Sequence, residues 1–268
     1  MSTILLPTDF STHALNACGF AFDLFGVGGN TFLLVHTYVD VLPGYDALVD
    51  MTSVQYAAGV EGMAAFVERL RATERGRDAV LVSAVVAGPL VSALGELCRS
   101  RAVDAIAMGT LGATGLALIG SNASAVVRGS RVPVLVVPRD ARYAGLRALL
   151  IADDKRPKDA GGMALVTRLA QREHARIAMA HVLGPDSGEA GPGVSRSAEE
   201  LFPGSEVTHV EASGTDVAGT ISNLAERIQA DLVVVQHRHL GLLQGLFHTS
   251  TAAQLALHTR IPLLVLEA

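Results

Sequence analysis

Tryptophan is missing from this 268-residue chain, and aromatic side chains make up only 4 % of it. A core without large rings has to be built from Ala, Val, Leu and Ile packed as layers of small residues, which favours an α/β fold over an aromatic-rich β-sandwich. Cysteine is nearly absent too. Cys18 and Cys98 are the only two, both on predicted helices among apolar neighbours, so they read as buried small hydrophobes and exclude a disulfide framework. Positive charge is in deficit, with 21 Lys and Arg against 26 Asp and Glu and a net charge of −5. That leaves no electrostatic footprint for DNA or RNA, whose backbone demands clustered Lys and Arg. No apolar run approaches the roughly 20 residues of a membrane helix. The N-terminus enters a strand without a basic segment or cleavage site, and the expected location is cytoplasmic, with neither nucleic acid nor membrane as partner. What is present is apolar residues at half of all positions, in a chain about twice the length of an ordinary domain.

One stretch carries chemistry. Gly109-Thr110-Leu111-Gly112 and, further on, Gly120-Ser121-Asn122 follow the short apolar strand Ala105-Ile106-Ala107-Met108 and precede a helix-competent segment. A strand, a glycine loop and a helix start can present several backbone N–H groups and a positive helix end to one anion. Glycine serves there because a missing Cβ lets a phosphate come close to the backbone. The same pattern also makes a plain tight turn, and Ser121 and Asn122 also fit as helix N-caps.

Along the rest of the chain, strand-like runs alternate with helical ones, the pattern of a parallel sheet with crossover helices. Thr3 to Pro7 reads as a strand, and Ser11 offers an N-cap to a helix with Leu15, Cys18, Phe22 and Phe25 on one face. A second strand, Asn30 to Tyr38, leads to a helix with Val60, Met63, Val67 and Leu70 in register. Strand Ala79 to Val86 follows, then a helix opened by Pro89 with Leu90, Leu94, Leu97 and Cys98 as its stripe. Strands Asp104 to Met108 and Pro133 to Val137 complete a five-stranded unit.

The second half repeats this order. Leu149 to Asp153 answers Leu5 to Asp9 at an offset of 144, and Ala178 to Val182 answers Leu33 to Thr37 at 145. Asp231 to Val235 answers Asp104 to Met108, and Ile261 to Leu266 answers Val132 to Val137. The boundary falls in Arg139 to Gly145, too short for a free linker, so domains at 1–140 and 146–268 are expected to pack together. The loop Gly184 to Gly193 is the most flexible candidate.

On these residues the chain resembles the universal stress protein family in its tandem, two-domain form. The resemblance rests on Pro7-Thr8-Asp9-Phe10-Ser11, Leu34-Val35-His36-Thr37, Gly109-x-x-Gly112 with Gly120-Ser121-Asn122, and Val132 to Val137, in the family's order along essentially the whole chain. It implies two repeated five-stranded open parallel sheets flanked by helices, of the adenine nucleotide alpha hydrolase-like, Rossmann-like type, packed as a pseudo-twofold pair. It also implies a stress-response regulatory module that binds an adenine nucleotide, ATP, and is not an enzyme; whether Mg accompanies the nucleotide is left open. Carried over, the motif nominates Asp9 and Thr37 for adenosine, and Gly109, Gly112, Gly120 and Ser121 for phosphate, with Asn122 as an extra polar contact. In family members the closing strands pair across a twofold axis. Here the two halves can pair antiparallel within one chain, with a homodimer left open.

Two departures bear on that assignment. Seven residues, Ala113 to Ile119, separate the motif glycines where the family has nine. The second half keeps nine, with Thr249-Ser250 in the later motif positions, but Gln236 and His239 replace both early glycines. Their side chains would fill phosphate space, so the second motif reads as degenerate. The alternative function is therefore a structural or protein-interaction role without nucleotide. Weak ATP hydrolysis or autophosphorylation ranks last, since no Walker lysine, arginine finger or metal-binding carboxylate pair can be assigned, Asp153-Asp154 included. Asp9 also fits as a helix-start carboxylate. His36 and His181 are expected to be hydrogen-bonded core. His237, His239, His248 and His258 fit no closed zinc signature and are not read as ligands.

Overall fold

The strand–helix alternation expected from the sequence is present throughout the computed structural model, which describes residues 1–39, 51–110, 121–153, 160–183, 198–237 and 261–267. In the first half these are β1 (Thr3–Pro7), α1 (Thr12–Phe25), β2 (Thr31–Tyr38), α2 (Met51–Arg71), α3 (Glu74–Asp78), β3 (Val80–Ala87), α4 (Leu90–Ser100), β4 (Ala105–Gly109), α5 (Ser121–Gly129) and β5 (Val134–Val137). The second half has β6 (Ala148–Ala152), α6 (Ala160–Glu173), β7 (Arg176–Leu183), α7 (Ala198–Leu201), β8 (Val207–Ser213), α8 (Val217–Arg227), β9 (Leu232–His237) and β10 (Leu263–Glu267). The loop 184–193 lies outside the described residues.

The ten strands form one sheet in the order β3-β2-β1-β4-β5-β10-β9-β6-β7-β8. Reading outward from its middle, the two halves mirror each other strand for strand. Every neighbouring pair is parallel except β5 and β10, which run antiparallel with Leu135 opposite Leu264. The expectation of two packed five-stranded sheets is thereby sharpened: the halves join edge to edge and share one sheet. The reason lies in the closing strands. Both are short, uncharged over Val134–Val137 and Leu263–Leu266, and buried, and an edge of that kind is a liability unless paired.

Alternation along each strand sends side chains to two apolar layers. Ile4, Leu6, Leu34, Leu149, Ile151 and Leu264 face α1, α2 and α6, with Phe22, Phe66 and Leu169 among the partners. Leu5, Leu33, Ile106, Leu150, Val233 and Leu263 face α4, α5 and α8. Each layer contains residues of both halves. Full burial of each such Leu or Phe favours the fold by roughly 1.5–3 kcal/mol.

Local signals explain where elements begin. Ser11 caps α1, its hydroxyl accepting from the Ala14 amide at 3.1 Å, and Gly26 ends that helix at φ 78°. Asp104 accepts from the Thr3 amide at 2.7 Å, and its counterpart Asp231 accepts from the Arg147 and Ala148 amides at 2.8 and 3.0 Å. The same carboxylate thus tethers the start of the first strand in each half. The connection between halves is pinned rather than free, because the Asn16 side-chain amide donates to Ala141 O at 3.1 Å and Tyr143 packs edge-on against Phe20.

Three expectations need correction. First, α2 buries Met63, Phe66 and Leu70, with Val67 partly covered, while Val60 is 45 % exposed. The helix turns Gly59 toward the sheet instead, where a Cβ would lie 2.9 Å from Val85 Cγ1. Second, Cys18 is buried but Cys98 is only partly so, because it borders a cavity of about 140 Å³ between α4 and α5. Burial still raises its thiol to about 11. Third, Pro7 pairs with Val35 and Ala152 with Ala180, so the offset between β1 and β6 is 145, not 144. Asp153 is the counterpart of Thr8, and Asp154 that of Asp9.

Candidate functional site

In the first half the strand order reverses between β1 and β4: one continues to β2 and β3, the other to β5. Such a reversal opens a crevice beyond the carboxyl ends of the two strands. Registers define what stands there. Leu5 is level with Leu33 and with Ile106, and continuing both rows four residues on places Asp9 level with Thr37 and with Thr110. Gly109 closes β4 opposite Val137, and the Thr110 amide donates to Val137 O at 3.0 Å. Three of the nominated residues, Asp9, Thr37 and Gly109, therefore meet at one end of the sheet.

The turn that carries Asp9 is held from all sides. The Thr8 amide donates to Val35 O at 2.8 Å, and the Thr8 hydroxyl accepts from the Phe10 amide at 2.9 Å. One Asp9 carboxylate oxygen accepts from the Ser11 amide at 3.1 Å, the amide of the residue that caps α1, in keeping with a helix-start role. Phe10 has φ 66°, a conformation that costs a bulky residue energy and persists only when its surroundings enforce it. They do: the Arg69 guanidinium donates to Phe10 O at 2.8 Å, and the Phe10 ring stacks on His36 at 4.3 Å between centroids. His36 itself donates from Nδ1 to Thr8 O at 2.9 Å, which leaves Nε2 as an acceptor in the neutral ring. It is hydrogen-bonded, as expected, and braces the turn.

Sequence reasoning missed the glycine face beneath this cluster. A Cβ on Gly62 would lie 2.6 Å from the Phe10 ring, and one on Gly59 would lie 3.2 Å from His36 Cδ2. Glycine inside a helix costs roughly 0.5–1 kcal/mol relative to alanine, so the spacing Gly59-x-x-Gly62 in a helix was a legible sign that something approaches closely.

On the phosphate side, Ser121 opens the nine-residue α5 and Asn122 is exposed in its first turn. Gly112 and Gly120 lie outside the described residues. In the second half, Gln236 stands near the end of β9 as the counterpart of Gly109. His181 donates from Nδ1 to Asp153 O at 2.7 Å, repeating the His36 contact. His239, His248, Thr249, Ser250 and His258 lie outside the described residues. Among the described residues no group of three His, Cys, Asp or Glu could hold a metal ion, and no helix is long and apolar enough to cross a membrane.

Comparison with known proteins places this architecture. The chain superposes on a universal stress protein from Archaeoglobus fulgidus with a TM-score of 0.73 and 22 % identity, covering 99 % of this chain and 96 % of that one. A functionally unknown protein from Pseudomonas aeruginosa PAO1 matches with a TM-score of 0.63 and 16 % identity, over 100 % and 92 % of the two chains. At these identities the likeness concerns the fold. No curated protein matches. The model of the universal stress protein family matches twice, at residues 1–138 and 141–267. The chain therefore belongs to the universal stress protein family, with two such domains in tandem.

Proposed function

We propose that the first half, residues 1–140, binds one adenine nucleotide, ATP, and that the second half, 146–268, carries a degenerate motif and serves as its structural partner. The protein is then a nucleotide-responsive regulatory module and not an enzyme. The observation that carries this reading is that Asp9, Thr37 and Gly109 stand at one end of the sheet at the strand-order reversal, with the turn that carries Asp9 braced by Thr8, His36 and Arg69. Preorganisation of that kind lowers the cost of binding. Asp9 and Thr37 would hold the adenosine. Gly109, Gly112, Gly120 and Ser121 would offer backbone N–H groups to the phosphates, with Asn122 beside them at the start of α5.

Calorimetric titration of the full chain with ATP is expected to give one site per chain. Asp9→Ala should weaken it roughly 10- to 100-fold, the worth of a hydrogen bond to a charged group, with an unchanged melting temperature reporting that the fold survives. Absence of heat up to millimolar ATP would favour the second reading, a protein-interaction role without nucleotide. That reading draws on the seven-residue spacing from Gly112 to Gly120, two shorter than that from His239 to Thr249.

A further inference from the structure

The cavity between α4 and α5 stands away from the candidate site: Ile106, near the start of β4, lies in its wall, whereas Gly109 ends that strand. About 140 Å³ is open there, walled by Val91, Leu94, Ile106 and Val126 among others. An apolar space of roughly 150 Å³ stays dry and takes up a molecule the size of benzene. The neutral polar groups in the wall do not call for water. The Ser130 hydroxyl donates to Val132 O at 2.7 Å and accepts from the Val132 amide at 3.1 Å, and burial keeps the Cys98 thiol protonated, raised to about 11.

The space exists because a side chain is missing. Position 95 is glycine, and a Cβ there would meet only the Arg99 guanidinium, at an ordinary 3.6 Å. The helices cannot close the gap by moving together, since they already touch where a Cβ on Gly129 would stand 2.7 Å from Val91 Cγ1.

Charge marks one side of this space. Arg99 and Arg131 line it, both exposed, and among the described residues neither has an ion-pair partner. Arg99 lies in the last turn of α4 and Arg131 two residues past α5. The carbonyl ends of these helices carry about half a negative charge each, less than the two guanidinium charges. A helix-end role accounts for the sign of the arginines but leaves the apolar space beside them unfilled. The second half has neither the glycine nor the cation on α8. Ala102 and Gln229 share a positive φ two residues before Asp104 and Asp231, and that alignment puts Ser222 and Glu226 in the places of Gly95 and Arg99.

We propose that this cavity binds a short-chain aliphatic carboxylate, its tail of about five carbons between Val91, Leu94, Ile106 and Val126 and its carboxylate on Arg99 and Arg131. This goes beyond the ATP reading of the first half and does not depend on it.

The test titrates the full chain with sodium hexanoate in a calorimeter, where one site per chain is expected with or without ATP present. Arg99→Gln should weaken hexanoate about tenfold, the worth of a hydrogen bond to a charged group. 1-Hexanol, which has a similar tail and no charge, should bind wild-type protein about as weakly as hexanoate binds the glutamine variant, and Arg99→Gln should leave it unchanged. A merely structural arginine would not split the two ligands in this way. Gly95→Leu should abolish binding of both at an unchanged or raised melting temperature, because leucine fills the space and is the better helix former. Gly95→Met, whose flexible chain adapts to the gap, serves if the leucine variant fails to fold. The proposal is overturned if hexanoate gives no heat up to tens of millimolar, or if its binding survives both substitutions of Gly95. Equal loss of hexanoate and hexanol in Arg99→Gln, or no loss of hexanoate there and in Arg131→Gln, would overturn the carboxylate's place. Failure of wild-type protein to bind ATP would remove the first-half reading and leave this one standing.

Discussion

Truncation of Leu264 to alanine is expected to destabilise both halves of the chain together, by roughly 2–5 kcal/mol, the range for emptying a closed leucine site. Leu264 and Leu135 face each other across the antiparallel junction, both with no exposed surface, and both contribute to the apolar layer under α1 and α6. Because that layer runs through the junction, a hole there is felt on both sides. Native-state hydrogen exchange should show protection falling in parallel in β1 and β6. Loss confined to β9 and β10, with β1 unchanged, would show that the halves fold independently. Leu264→Asp should be more severe, since a carboxylate placed there has no partner to offset its desolvation, and a typical total stability of about 5–15 kcal/mol leaves little to absorb it. The segment 1–140 alone is expected to associate through its exposed β5. A stable monomer would contradict the role given to this edge.

The second large effect concerns alkaline pH. Burial pushes the Cys18 thiol up from 9.0 to about 12. Below pH 9 both folded and unfolded chains keep the proton, so Cys18 adds no pH dependence. Above pH 9 the unfolded chain ionises while the folded chain does not, and the unfolded state gains about 1.4 kcal/mol per pH unit until the folded group titrates as well. Between pH 9 and 11 wild-type protein should therefore lose about 2 kcal/mol more than Cys18→Ala does, measured by denaturant unfolding under reducing conditions. Cys98 is present in both proteins and cancels. Parallel curves for the two would mean that Cys18 ionises in the folded state without penalty. Near neutrality both thiols are protonated and poor nucleophiles, and alkylation of the native protein should be slow.

Much of the candidate site was legible because it is local. Asp9 lies two residues past a strand, Ser11 three residues before Ala14 marks a helix start, and Gly109 ends an apolar run; each is readable from a few consecutive residues. The brace around Asp9 was not. Phe10, His36, Arg69 and Gly62 come from β2, α2 and the turn after β1, and nothing in their spacing says that they meet. The same limit explains the error in the face of α2. Periodicity allowed a stripe beginning at Val60, but packing against the Phe10 and His36 rings required glycine there, and the helix settled with Phe66 inward. The repeat offset also erred by one, because Asp153 matches Asp9 by identity while the backbone pairs Asp153 as it pairs Thr8.

By itself the sequence determined the alternation of strands and helices, the duplication and the place of the glycine motif, since these follow from hydrophobic period, caps and internal similarity. Tertiary structure decided the rest. It joined two five-stranded units into one sheet, since an apolar closing edge is stable only when paired. It also set the register that aligns Asp9 with Thr37. Such alignments depend on backbone pairing between segments tens of residues apart, which no local pattern encodes.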